Sequence, residues 1–130
     1  TIDLAQISSQ FYGFSTRGTA QFSVYGMSMN NYDTTVSVIG ATFVELNDNV
    51  LRPQHTGIFV NTTSGFYGNI LSNRIQQGQQ GIYLKGTDNF VVDRNTLSNF
   101  SNTGIYVKAT DAKVINNSVL ASNYTQAIGI

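Results

Sequence analysis

The chain has 130 residues, one domain's worth, and its seven Lys and Arg balance seven Asp and Glu to a net charge of zero. Only 11% of the residues are charged, so there is no basic surface to hold a nucleic acid backbone or an anionic membrane, and neither nucleic acid nor membrane insertion is expected. With no cysteine and a single histidine, neither a disulfide framework nor a thiolate metal site is available, and no metal or other cofactor is expected.

In chain order the same pattern returns about every 22 to 24 residues. Ile2, Ala5 and Ile7 open it, and Gly13-Phe14-Ser15-Thr16 follows. Val24, Met27 and Met29 repeat the opening, then Thr35-Val36-Ser37-Val38. Leu46, Asn49 and Leu51 lead to Gly57-Ile58-Phe59-Val60. Ile70, Asn73 and Ile75 lead to Gly81-Ile82-Tyr83-Leu84, and Val92, Asn95 and Leu97 to Gly104-Ile105-Tyr106-Val107. Val114, Asn117 and Val119 start a last round that ends in Ala127-Ile128-Gly129-Ile130. Within each segment apolar and polar residues alternate, the period of two expected of a strand with one buried face. A coil this short holds only two or three strands of about five residues, so each strand must pair in parallel and in register with its copy in the next coil. The predicted fold is all-β, a parallel β-helix of about five to six coils, forming a single domain over residues 1–130.

The recurring Asn49, Asn73, Asn95 and Asn117 fit bends between strands. There an amide can take the left-handed backbone conformation and bond to its copy one coil away. A ligand site recurring identically in every coil is the weaker alternative. Lys85-Gly86-Thr87-Asp88 and Lys108-Ala109-Thr110-Asp111 stand where the chain must turn. Ile2 already occupies a core column and Ile128 and Ile130 enter a further strand, so neither end reads as a cap. The expectation is a fragment of a longer β-helix, with no signal peptide pattern and no run long enough for a transmembrane helix.

The stretch from Gly81-Ile82-Tyr83-Leu84 through Asn95-Thr96-Leu97-Ser98-Asn99 to Gly104-Ile105-Tyr106-Val107 resembles the right-handed β-helix repeats of the pectate-lyase-like superfamily. That superfamily includes pectate and alginate lyases, polysaccharide epimerases, periplasmic carbohydrate-binding proteins of the copper-maturation type, and phage tailspikes. The resemblance implies extracellular or virion-surface exposure and a polysaccharide or cell-surface glycan as partner. Within it, the neutral amide-, hydroxyl- and tyrosine-rich composition is most similar to a tailspike, which implies a homotrimer. The calcium-binding aspartate clusters of the lyases and the Asp-Pro-His signature of the epimerases are not found, and no catalytic residue carries over. Fold alone does not settle function.

Two candidate sites follow from the repeat. The residue between the two core positions of the Gly-Ile-Tyr-Val strand points outward, giving the column Ser37, Phe59, Tyr83, Tyr106 and Gly129. Its three rings form an aromatic strip beside Lys85 and Lys108, suited to an acidic sugar. Alternatively the rings stabilise the ladder or bury themselves against another subunit, making the chain a structural shaft. The second candidate is a charged patch near the asparagine bend: Asp48 and Asp93 as a carboxylate pair for glycoside hydrolysis, with Arg74 and Arg94 as substrate-binding residues. Arg52 and His55 follow Asp48 in its coil, and an arginine or His55 would be the base of a lyase instead. The competing reading is a set of solvated charges in weak surface pairs.

Overall fold

The computed structural model describes residues 2–3, 6–8, 12–18, 21–62 and 67–121. Ala5, Asn123 and the expected strand Ala127-Ile128-Gly129-Ile130 lie outside them, as do the side chains of Thr87 and Asp88. Each of the first three coils supplies three strands: β1 (Ile2–Asp3), β2 (Gln6–Ser8) and β3 (Tyr12–Arg17); β4 (Gln21–Tyr25), β5 (Ser28–Asn30) and β6 (Thr34–Ile39); β7 (Phe43–Asn47), β8 (Val50–Arg52) and β9 (Thr56–Asn61). The next two coils give β10 (Tyr67–Leu71) with β11 (Arg74–Asp88), and β12 (Phe90–Asp93) with β13 (Thr96–Thr110). The last described strands are β14 (Lys113–Ile115) and β15 (Ser118–Ala121). β11 and β13 are 15 residues long because each runs through a bend that its predecessors break at, so they exceed the five residues expected of one strand.

All pairing is parallel, coil on coil, and the chain is a β-solenoid of about five turns. The first face is the six-stranded sheet β1-β4-β7-β10-β12-β14. The second face stacks β2, β5, β8 and the starts of β11 and β13, while the third stacks β3, β6, β9 and the later parts of β11 and β13. The apolar columns expected from the repeat are in register. On the first face Ile2, Val24, Leu46, Ile70, Val92 and Val114 are successive partners. On the second, so are Ile7, Met29, Leu51, Ile75, Leu97 and Val119. The third face contributes Phe14, Val36, Ile58, Ile82 and Ile105. From Val24 and Met29 onward most of these side chains are fully buried and form one continuous core along the axis, with Phe14, Val114 and Val119 packed against it; the side chains of Ile2 and Ile7 lie outside the described ones.

The asparagines form the expected ladder inside the bend between the first and second faces. Asn49 Nδ2 donates to Asn73 Oδ1 (2.9 Å), Asn73 Nδ2 to Asn95 Oδ1 (3.0 Å), and Asn95 Nδ2 to Asn117 Oδ1 (2.9 Å). The left-handed backbone, however, does not belong to these asparagines. It falls on the residue before each of them, at Asp48 (φ 58°), Ser72 (56°), Arg94 (55°) and Asn116 (53°), with Gly26 (64°) in the same place one coil earlier. The turn is made one position ahead of the ladder, so the asparagine side chain is free to point inward and cap the backbone. The bend between the second and third faces shows positive φ again, at Asn31 (64°), Gln77 (66°) and Asn99 (62°), the last inside β13 rather than in a loop.

The glycine that opens each third-face strand has a steric cause. A Cβ on Gly81 would stand 2.4 Å from the carbonyl oxygen of Gly104 and 2.4 Å from Leu97 Cδ2. At Gly57 it would stand 2.6 Å from the oxygen of Gly81. Neither backbone can retreat without breaking ladder bonds. Gly81→Ala should therefore cost about 1–3 kcal/mol, the range for overpacking a tight interior. Thermal unfolding checks this, and an unchanged midpoint would count against the close coil-to-coil contact.

Candidate functional site

The third face presents its outward residues in three parallel columns. Tyr12, Thr34, Thr56, Gln80 and Thr103 form the first; Ser15, Ser37, Phe59, Tyr83 and Tyr106 the second; Arg17, Ile39, Asn61, Lys85 and Lys108 the third. Two strand residues, roughly 6.6 Å, separate the second column from the third. None of the positions carries a carboxylate. The face thus offers hydroxyls and an amide along one side, rings along the middle, and at its upper end two exposed ammonium groups.

The rings stack, but not as a flat strip. Phe59 and Tyr83 have centroids 5.4 Å apart and planes 13° from parallel, and Tyr83 and Tyr106 are 4.6 Å apart at 12°. Parallel rings this close overlap face to face. The three rings of the aromatic strip do follow one another, and Tyr83, with a ring against each face, shows solvent its edge. Ring faces are left open only at the ends of the stack. At one end is Tyr106, 39% exposed. At the other, Phe59 looks toward Ser37, and there a cleft of about 180 Å³ opens, lined by Tyr12, Thr34, Ser37, Ile39 and Phe59. A second cleft of about 120 Å³, lined by Asn89, Phe90, Val91, Asp111 and Lys113, lies where the chain turns from the third face to the first.

The charged patch occupies the bend between the first and second faces, on another side of the solenoid. Asp48, Ser72 and Arg94 hold the same bend position in successive coils, their N–H groups donating to Leu71, Asp93 and Ile115 carbonyls. Asp93 stands two coils from Asn47 in one column, through Leu71. Its carboxylate is mostly covered and accepts from Arg94 Nε (3.0 Å) and Asn116 Nδ2 (3.0 Å). Asp48 and Arg74 are exposed, and Arg74 opens β11 opposite Val50 and Thr96. Arg52 bridges coils instead, donating to Gln76 Oε1 (3.1 Å) and Asn30 Oδ1 (3.1 Å).

His55 is not an isolated loop histidine. Its Nδ1 contacts Asp33 Oδ1, and its backbone N–H donates to the Asp33 carbonyl at 3.0 Å. The pair sits at the entrance to the third face, just before Thr34 and Thr56. Asp33 belongs to no repeating column, and its one signal in the sequence is its separation from His55 by 22 residues, one coil. Between Asn31 and Asp33, Tyr32 turns inward and is fully buried. Its hydroxyl has no partner among the described residues, and burial pushes its phenol up from the usual tyrosine range.

The profile of one protein family, described as periplasmic copper-binding protein (NosD), matches residues 2–130. Neither a curated protein nor a solved structure matches the chain. The family match carries a parallel β-helix and a periplasmic description; it carries neither a virion location nor a polysaccharide-degrading activity. The described residues do not fit a copper site. Copper would call on imidazole, thiolate or thioether donors, yet the chain has one histidine and no cysteine, and both methionines, Met27 and Met29, are buried in the core. Among the described residues no three His, Cys, Asp or Glu side chains gather as a metal site requires.

Proposed function

The chain belongs to the NosD family, and from that premise we propose that it is a glycan-binding β-helix segment of an exported protein, whose recognition surface for an acidic polysaccharide is the third face. The observation that supports this reading most is the arrangement of that face. Hydroxyl and amide, aromatic and cationic columns run side by side along the axis without a carboxylate. A polysaccharide is a linear array of hydroxyls and apolar ring faces, and a uronate adds one negative charge per residue. The three columns match those three features. Lys85 and Lys108 attract the carboxylates, while Thr56, Gln80 and Thr103 meet hydroxyls. The ring stack has a share in the fold as well, since like rings in register stabilise a ladder. The periplasmic description of the family is in keeping with a compartment outside the cytoplasm.

The test is affinity electrophoresis through gels holding polygalacturonate or alginate. Lys85→Ala with Lys108→Ala should weaken retention roughly two- to thirtyfold, because exposed ion pairs contribute about 0.2–1 kcal/mol each. The wild-type retention should also fall as salt rises. Retention of the double variant equal to that of the wild type would remove the lysines from the site and with them the acidic ligand.

A further inference from the structure

We propose that the cleft beside Ser37 is a subsite for one neutral pyranose ring, which seats on the open face of Phe59 and takes the place in the stack that a fourth aromatic ring would have held. This rests on the third face being the glycan surface and adds where along it a sugar ring docks, and in what orientation.

The stack itself supplies the reason. Tyr83 lies between Phe59 at 5.4 Å and Tyr106 at 4.6 Å, so an inserted sugar would have to break a ring contact to reach it. On the side away from Tyr83, Phe59 lines the cleft. Its next partner in register is Ser37, itself only 4% exposed, and below that Ser15, neither of which carries a ring to stack on it. The column continues, but its rings stop. One coil adds about 4.8 Å of height, close to the thickness of a stacked ring. The space left measures about 180 Å³, the share of roughly six liquid waters.

The lining decides the chemistry of the occupant. Phe59 and Ile39 supply an apolar face and wall, and Thr34, Ser37 and Tyr12 carry hydroxyls around them. A pyranose has a face of C–H groups and a rim of hydroxyls, and it fits both. A flat aromatic ligand would use the face and leave the rim unanswered. Charge places the acidic residues elsewhere: Ile39 stands beside the cleft in the column where Lys85 and Lys108 stand two and three coils further on. The lining of the slot itself holds no cation; Arg17 stands one coil before Ile39 in that column and Lys85 two coils after it, so the charges of a glycan running along the axis lie to either side and an uncharged ring lies at Ser37.

An array of neutral and uronate-containing oligosaccharides, probed with wild type, Ser37→Tyr, and the Lys85→Ala and Lys108→Ala double variant, tests this. Ser37→Tyr extends the stack and fills the slot. It should keep or raise the melting temperature, and lose roughly tenfold or more of the binding to every glycan the wild type captures, as expected of a filled central pocket. If Ser37→Tyr does not fold, Phe59→Leu keeps an apolar side chain without a ring face and should show the same loss. Either variant, folded and binding as wild type does, overturns the subsite. If either variant instead dissociates an oligomer, the cleft holds a second copy of the chain and the subsite is likewise overturned. A wild type that captures nothing removes the glycan surface itself, whereas a loss confined to the lysine variant leaves the surface and refutes the slot.

Discussion

Ile82→Asp is expected to leave the chain unfolded. Ile82 is fully exposed to its own core and not at all to solvent, pairing in register with Ile58 on one side and Ile105 on the other. Removing the isoleucine forfeits about 1.5–3 kcal/mol of apolar burial. The carboxylate that replaces it would have no cation in reach, because the column above and below is aliphatic, and burying it costs several kcal/mol more. The whole net stability of a domain this size is about 5–15 kcal/mol. In a solenoid the damage is not confined to one coil, since each coil holds its neighbours and a disordered coil exposes two bare strand edges. Circular dichroism should show loss of the β signal and the protein should collect in the insoluble fraction. A soluble variant with the wild-type melting temperature would mean that Ile82 does not face the core.

The columns were legible in the sequence because a solenoid translates repetition directly into contact. A spacing of one coil length becomes a pair of neighbours, and the period of two within each segment tells inside from outside. That is why Ile70, Val92 and Val114, or Phe59, Tyr83 and Tyr106, fall where their spacing puts them. Two features were hidden. Repetition gives the position of Tyr83 relative to Phe59 but not the torsion of its ring, and whether a ring lies flat or on edge is set by the packing of the coil next to it. The turn residue was hidden for a different reason. Arg94 and Ser72 have no preference for positive φ, and take it only because the asparagine ladder fixes the bend around them; local propensity there is overridden by the cap. The Asp33 and His55 pair is legible by the coil spacing, but neither residue recurs in the other coils, so the repeat does not mark it.

The ladder gives the second large effect. Asn95→Leu should destabilise the chain by about 4 kcal/mol, from two buried groups left without partners at about 1–3 kcal/mol each. The asparagine serves both directions at once. Its Oδ1 accepts from the backbone N–H of Asn73 (2.9 Å) and from Asn73 Nδ2 (3.0 Å), while its Nδ2 donates to the carbonyl of Ile70 (2.9 Å) and to Asn117 Oδ1 (2.9 Å). Leucine of similar volume replaces none of these. The Asn73 N–H and the Ile70 carbonyl then remain buried in the bend, and Asn73 loses one end of its side-chain bonding as well. Asn117 suffers less, since its Oδ1 still accepts from the Asn95 backbone at 2.9 Å. The comparison is Asn99→Leu, at an exposed bend of positive φ in the same coil, where the cost is backbone strain of roughly 1 kcal/mol with no buried group orphaned. Urea unfolding of both variants separates the two causes. A larger loss at Asn95 is expected; equal losses would mean that the bend holds its shape by backbone alone and that the ladder is an ornament of the turn.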